Sequence, residues 1–128
     1  MSSQRTVLLI DDQASLLKAI GRRLKQEGFR VLTAETGEAG LRLAEEQLPD
    51  VILLDIMMPK MNGRDVCAKL KANPKTKDIA VIFLTALGLA DHVRAGMALG
   101  AEDYIVKPFD RQVLKQRIKI CLARRNKL

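Results

Sequence analysis

The chain has 128 residues, 48% hydrophobic and 29% charged, the composition of a folded globular protein rather than a disordered or fibrous one. That length fits a single domain burying ~65–70% of its unfolded surface, and no apolar run approaches the ~20 residues that span a bilayer. The net charge of +7 is local: residues 1–106 carry 14 Lys/Arg and 14 Asp/Glu, and residues 107–128 carry eight Lys/Arg and one acid.

The N-terminus, Met1–Thr6, has no signal-peptide hydrophobic region before Val7. Cys67 and Cys121 fall at apolar positions of predicted helices, without metal-binding spacing, and read as buried reduced thiols of a cytoplasmic protein. With no Trp and 3% aromatics the chain is poorly supplied with base-stacking platforms. Nucleic acid is therefore not expected as a partner of this domain alone, and the basic C-terminal segment reads first as a solvated helix face. The expected organisation is one domain over 1–128, with a core over about 5–122 and a basic tail over 123–128.

Taken in chain order, short apolar runs alternate five times with amphipathic segments. Thr6–Ile10 reads as the first strand. Leu16, Leu17, Ile20 and Leu24 follow at helical spacing, with Gly28 as a helix stop. Phe29–Ala34 reads as the second strand. Ala39, Leu43 and Ala44 mark a second helix, capped by Thr36 and ended near Pro49. Val51–Leu54 is the third strand, a continuous aliphatic run of the kind buried on both faces. Val66, Cys67 and Leu70 mark a helix opened by Asn62. Ile79–Leu84 reads as the fourth strand, then Val93, Met97 and Leu99 mark a helix opened by Asp91. Gly88, Gly96 and Gly100 lie in or beside that helix and make it the expected mobile region. Asp103–Val106 is the fifth strand, and Val113, Leu114, Ile118, Cys121 and Leu122 mark a last helix opened by Asp110.

This alternation predicts parallel strands joined by right-handed helical crossovers, and five units predict an open doubly wound sheet. The fold class is α/β and flavodoxin-like, with strand order 2-1-3-4-5 and five helices. In such a sheet all strand C-termini share one edge, and here those ends carry Asp11 and Asp12, Asp55, Thr85 followed by Ala86, and Lys107 followed by Pro108. Clustered carboxylates repel one another and call for an oxygen-seeking divalent cation. Mg²⁺ suits them, whereas zinc does not, because His92 is the only histidine and reads as an exposed first-turn residue. A carboxylate beside Mg²⁺, a lysine and a hydroxyl is a site for a phosphoryl group, with Asp55 the expected nucleophile. Each of these residues taken singly has an ordinary structural reading, as a cap, a turn or a strand end. Their joint placement is what argues for chemistry.

These residues resemble the receiver domains of two-component response regulators, from about Thr6 to Leu122. The resemblance rests on Asp11-Asp12, on Asp55 through Gly63 (Asp55-Ile56-Met57-Met58-Pro59-Lys60-Met61-Asn62-Gly63), on Thr85-Ala86 and on Gly100 through Phe109. It implies that Asp55 accepts a phosphoryl group from a sensor histidine kinase or phosphotransfer protein. It implies Mg²⁺ held by Asp12, Asp55 and the Met57 backbone carbonyl, with Asp11 assisting through water. It implies that Lys107 contacts the phosphoryl group, that Lys107-Pro108 is cis, and that Thr85 and Tyr104 form a switch pair. Thr85 would move inward to the phosphoryl group and open space for Tyr104 to rotate in from solvent, reshaping the helix 4–strand 5–helix 5 face. Met57 and Leu87 would flank the phosphoryl group.

The implied protein is a phosphorylation switch and not a turnover enzyme. A segment over Leu70–Ile79 resembles, more weakly, receivers that precede output modules. An effector domain, a downstream protein and a homodimer through the helix 4–strand 5–helix 5 face are the further partners implied. A Mg²⁺-dependent phosphohydrolase is the first rival, disfavoured because Met57 stands where a second acid is needed. A nucleic-acid module using the basic C-terminus and a receiver that no longer uses phosphate are the others.

Overall fold

Five parallel strands and five helices alternate along the chain: β1 (Thr6–Ile10), α1 (Ala14–Gln26), β2 (Arg30–Ala34), α2 (Gly37–Gln47), β3 (Val51–Leu54), α3 (Gly63–Ala72), β4 (Ala80–Thr85), α4 (Ala90–Ala98), β5 (Asp103–Val106) and α5 (Arg111–Arg124). The computed structural model describes residues 4–125; residues 1–3 and 126–128, with the tail residue Lys127, lie outside them. The sheet order is β2-β1-β3-β4-β5, with every neighbouring pair parallel, as the alternation predicts.

The alternation of side chains along the strands divides the core into two layers. Val7, Leu9, Leu53, Ile82 and Ile105 point to one face, where Leu17 and Leu24 of α1 and Leu114, Ile118 and Leu122 of α5 cover them. Leu8, Ile10, Ile52, Leu54, Val81 and Phe83 point to the other, under Ala44 of α2 and Val66, Cys67 and Leu70 of α3, with Val93 of α4 packed on its margin. The central strands β1, β3 and β4 are buried at every position, which is why they read as unbroken aliphatic runs. β2 is an edge strand and half exposed. Cys67 and Cys121 are free thiols inside these layers, and burial pushes both up in pKa.

The helix starts follow the predicted caps in three cases. The Thr36 hydroxyl accepts from the Ala39 N–H, the Asn62 side chain from the Asp65 N–H, and the Asp110 carboxylate from the Gln112 N–H. α4 departs from expectation. Its N-cap is Leu89, and Asp91 lies inside the first turn, where it suits the helix dipole and pairs with Arg94. Two strand starts also shift by one residue. The Phe29 N–H donates to the Leu24 carbonyl and completes the helix stop at Gly28, so β2 begins at Arg30. The Ile79 N–H donates to the Thr76 carbonyl in a turn, so β4 runs from Ala80 and includes Thr85. Gly96 has a packing reason rather than a flexibility one. A Cβ there would lie 2.9 Å from the Tyr104 ring and 3.1 Å from Phe83.

Ion pairs join the layers at their margins. Glu27 lies 2.8 Å from Lys115 and 3.3 Å from Arg23, tying the end of α1 to α5. The Lys115 hydrogen bond holds the Glu27 carboxyl below its ordinary range, although partial burial opposes it. α5 stops at Arg124, and Arg125 caps it and folds back. It donates to the Asp78 carbonyl before β4 and pairs with Glu102 before β5, so this part of the basic tail is docked on the domain.

Two substitutions check this account. Thr36→Ala removes the α2 cap and is expected to lower stability by about 1 kcal/mol, read as a lower urea midpoint with an unchanged m-value. Gly63→Ala is expected to cost more, at least ~1–3 kcal/mol. Its Cβ would fall 2.1 Å from the Asp55 backbone oxygen and force α3 away from the end of β3. An undisturbed midpoint for Gly63→Ala would contradict that close approach.

Candidate functional site

The C-terminal edge of the sheet gathers the residues that the sequence places at strand ends. The end of β1 and the end of β3 are locked together, because Asp55 donates its N–H to the Ile10 carbonyl at 3.0 Å. Asp11 is likewise fixed to β2 through its N–H and the Ala34 carbonyl at 3.1 Å. Carboxylate oxygens of Asp11, Asp12 and Asp55 all lie within 4.8 Å of one another. Asp11 and Asp55 are buried and Asp12 is exposed, so the cluster opens to solvent on one side.

Lys107 follows β5 and supplies the counter-charge. Its Nζ lies 2.9 Å from Asp11 Oδ2 and 3.5 Å from Asp55 Oδ2. The Lys107 N–H donates to the Thr85 carbonyl at 2.8 Å, which fixes where the lysine leaves the sheet. The Lys107-Pro108 peptide is cis. Three carboxylates against one ammonium leave the site two charges negative.

The second oxygens of the two buried acids hold their own loops. Asp11 Oδ1 accepts from the Gln13 N–H at 2.9 Å, and Asp55 Oδ1 accepts from the Met57 N–H at 3.2 Å. The loop after Asp55 is closed by Gly63, whose N–H donates to the Ile56 carbonyl. Met57 is 58% exposed and stands at the mouth of the site.

The donor set fits a hard divalent cation. It consists of oxygen atoms alone, it carries excess negative charge, and one acid faces solvent. Ligands about 2.1 Å from Mg²⁺ stand roughly 3–4 Å apart, and these carboxylates, all within 4.8 Å of one another, need only a small approach to reach that spacing.

Thr85 is fully buried at the end of β4, and its Oγ1 accepts from the Leu87 N–H at 3.5 Å. Ala86 beyond it is exposed, Leu87 is half-buried and Pro108 is exposed. Tyr104 differs from the sequence expectation of a ring that enters from solvent. In this structure it is already inside, 8% exposed, packed 5.8 Å from the Phe83 ring, with its hydroxyl donating to the Leu87 carbonyl at 2.6 Å. The space left by Gly96 makes that position possible. Burial pushes the Tyr104 phenol up in pKa; the Arg64 cation works against this and the Asp55 charge adds to it.

Arg64 is a residue the sequence reading passed over. It lies in the first turn of α3 and donates from Nη2 to His92 Nδ1 at 2.9 Å. His92 is therefore half-buried and bonded rather than exposed. One signal was available: a cation in the first turn opposes the helix dipole, so something else must hold it there.

The receiver-domain family model, described as the response regulator receiver domain, matches residues 7–119. The probable transcriptional regulator ycf27 of Guillardia theta is 44% identical over 128 residues, covering 99% of this chain and 49% of that protein. The DNA-binding dual master transcriptional regulator RpaA of a Synechocystis strain is 37% identical over 122 residues, 95% of this chain and 51% of its own length. The chain thus spans about half the length of these curated relatives. Among solved structures, a CheY-like receiver domain protein from Methanospirillum hungatei superposes with a TM-score of 0.91 at 27% identity, covering 98% of both chains. A response regulator receiver domain protein from Clostridium thermocellum has a TM-score of 0.88 at 35% identity, covering 95% of this chain and 97% of that one. With this sheet order, this acidic edge and a family match over nearly its whole length, the chain belongs to the receiver domains of response regulators.

Proposed function

We propose that this receiver domain is a phosphorylation-dependent switch in a two-component phosphorelay, with Asp55 as the phosphoryl acceptor. The observation that carries the reading is the convergence of three strand ends: a buried Asp55 carboxylate lies within 4.8 Å of Asp11 and Asp12 and 3.5 Å from the Lys107 ammonium. Asp11, Asp12, Asp55 and the Met57 carbonyl would hold Mg²⁺, which would offset negative charge on the phosphoryl oxygens.

The chain's own residues do the rest. A carboxylate oxygen of Asp55 forms the new bond to phosphorus as the phosphorus–nitrogen bond of a kinase phosphohistidine breaks, and the electron pair leaves with the imidazole. Lys107 has a fixed exit from the sheet, so its ammonium is positioned before the reaction and neutralises charge as it moves onto the incoming group. Its present partner, Asp11, competes for it, so transfer exchanges one anion for another. The Thr85 hydroxyl is the hydrogen-bond donor nearest the β4 end of the site, and its movement toward the phosphoryl group would break its contact with the Leu87 N–H. That links Asp55 to the 86–89 segment, to Tyr104 through the Leu87 carbonyl, and so to the α4–β5–α5 face. The exposed apolar side chains Leu89, Met97, Val106, Val113 and Ile120 on these elements suit contact with an effector domain, a downstream protein or a second copy. Relatives twice as long that carry the name of transcriptional regulators support an output of that class. The domain works as a switch, not as a turnover enzyme, in the cytoplasm; no helix among the described residues is long and apolar enough to cross a membrane.

Incubation with a small phosphodonor and Mg²⁺, read by intact mass, is expected to add one phosphoryl group. The addition is expected to fail with a chelator and in Asp55→Ala; an equal gain in Asp55→Ala would overturn the assignment. The lifetime of the product tests the surroundings of the site. Met57 and Leu87 cannot orient an attacking water, so self-hydrolysis is expected to be slow. Met57→Asn is expected to shorten the phosphoryl lifetime about tenfold, a barrier change of about 1.4 kcal/mol; an unchanged decay rate would count against this role.

A further inference from the structure

One hydrogen bond between α3 and the start of α4 has unusual chemistry. Arginine stays protonated and can only donate, so the Arg64–His92 bond requires a lone pair on His92 Nδ1. His92 must then be neutral, with its proton on Nε2. A second proton, taken from solvent, removes the acceptor and sets an imidazolium against a guanidinium at the same place. The contact is therefore present in one protonation state and repulsive in the other.

Its position makes the change consequential. His92 is in the first turn of α4, whose N-cap Leu89 gives no side-chain cap bond. The preceding segment carries the Leu87 carbonyl that receives the Tyr104 hydroxyl, and the Leu87 N–H that meets Thr85. The guanidinium is close enough to Tyr104 for its charge to act on the phenol, and its Nε is buried without a hydrogen-bond partner. The Nη2–His92 bond is thus the described hydrogen bond that holds this guanidinium. Other ionisable groups near the pair include Tyr104 on β5, Asp55 at the end of β3, which acts on Tyr104, Asp65 beside Arg64 on α3, and Asp91 and Arg94 on α4, which pair with each other. Among the described residues, none of these forms an ion pair with His92 that would compensate its charge.

We propose that Arg64 and His92 form a proton-sensitive latch: neutral His92 holds the start of α4 against α3 and keeps Tyr104 inside, and protonated His92 releases it. The bond exists with the neutral ring and is absent with the protonated one. Release frees the same 86–89 segment that Thr85 would pull on phosphorylation. The latch would give the α4–β5–α5 face a second input, proton concentration. It extends the proposed phosphoryl switch but operates in the unphosphorylated chain, so its failure and the failure of phosphorylation at Asp55 are separate outcomes.

Tyr104 is the only tyrosine and His92 the only histidine, so NMR of each ring reads the latch without ambiguity. The unphosphorylated chain, with isotope-labelled tyrosine and histidine, is titrated over about pH 5–8, where an imidazole changes charge. The ring signals of Tyr104 are expected to move in one step, at the same midpoint as His92, with His92 showing the Nε2–H tautomer on the alkaline side. His92→Gln supplies an acceptor at every pH and is expected to keep Tyr104 at its alkaline position with no step. Arg64→Gln removes the repulsion and the bond together, and is expected to hold Tyr104 near its acid position with no step. A step of equal size in either variant overturns the latch, as does a wild-type Tyr104 signal that ignores the His92 titration. Should Arg64→Gln fail to fold, His92→Gln decides alone.

Discussion

Lys107 reaches Asp11 at 2.9 Å and Asp55 at 3.5 Å from the far side of the sheet edge, and much of the molecule is arranged around that convergence. Two buried carboxylates cannot both stay ionised side by side without a cation, because the loss of solvation and the mutual repulsion add. One lysine meets part of the demand. The remaining negative charge is what the proposed divalent ion would offset. Holding this unbalanced cluster together requires a stiff frame. The parallel strands β1, β3 and β4 provide it, buried at every position and hydrogen-bonded up to the residue that carries the acid.

The two faces of the sheet serve that frame differently. On one face α1 and α5 pack over a continuous aliphatic layer and are joined by Glu27, Arg23 and Lys115. Arg125 adds a clamp from the end of α5 to the turns before β4 and β5. On the other face α2 and α3 are deeply packed, while α4 contributes few buried side chains and is attached through Tyr104, Gly96 and the Arg64–His92 bond. A short helix held by a few polar contacts is the element least costly to move. It is also the one next to Thr85, so a change at Asp55 has a compliant neighbour to act on.

Tyr104 shows how little of such an arrangement is fixed by residue type alone. Its hydroxyl bond to the Leu87 carbonyl and its place beside Phe83 depend on the missing side chain at Gly96. The glycine that suggested mobility in the sequence is a space for an aromatic ring. The charges of both Arg64 and Asp55 act on the inward ring, so the phenol sits between the acidic cluster and the α3–α4 contact.

The sequence by itself determined the frame. Unbroken aliphatic runs reveal strands buried on both faces, helical spacing reveals the layers above them, and Thr36, Asn62 and Asp110 mark helix starts because capping is local chemistry. The acids, the hydroxyl and the lysine were legible as a site because a parallel sheet sends every strand end to one edge. The tertiary structure decided what depends on contacts between distant segments. Asp91 lost the capping role to Leu89, and Phe29 and Ile79 went to turns, because backbone hydrogen bonds to earlier residues outweighed strand propensity. The side on which Tyr104 rests, the anchoring of Arg125 and the pairing of Arg64 with His92 join residues 17 to 47 positions apart. No periodicity encodes such pairs, since they exist only after the helices have been set against one another.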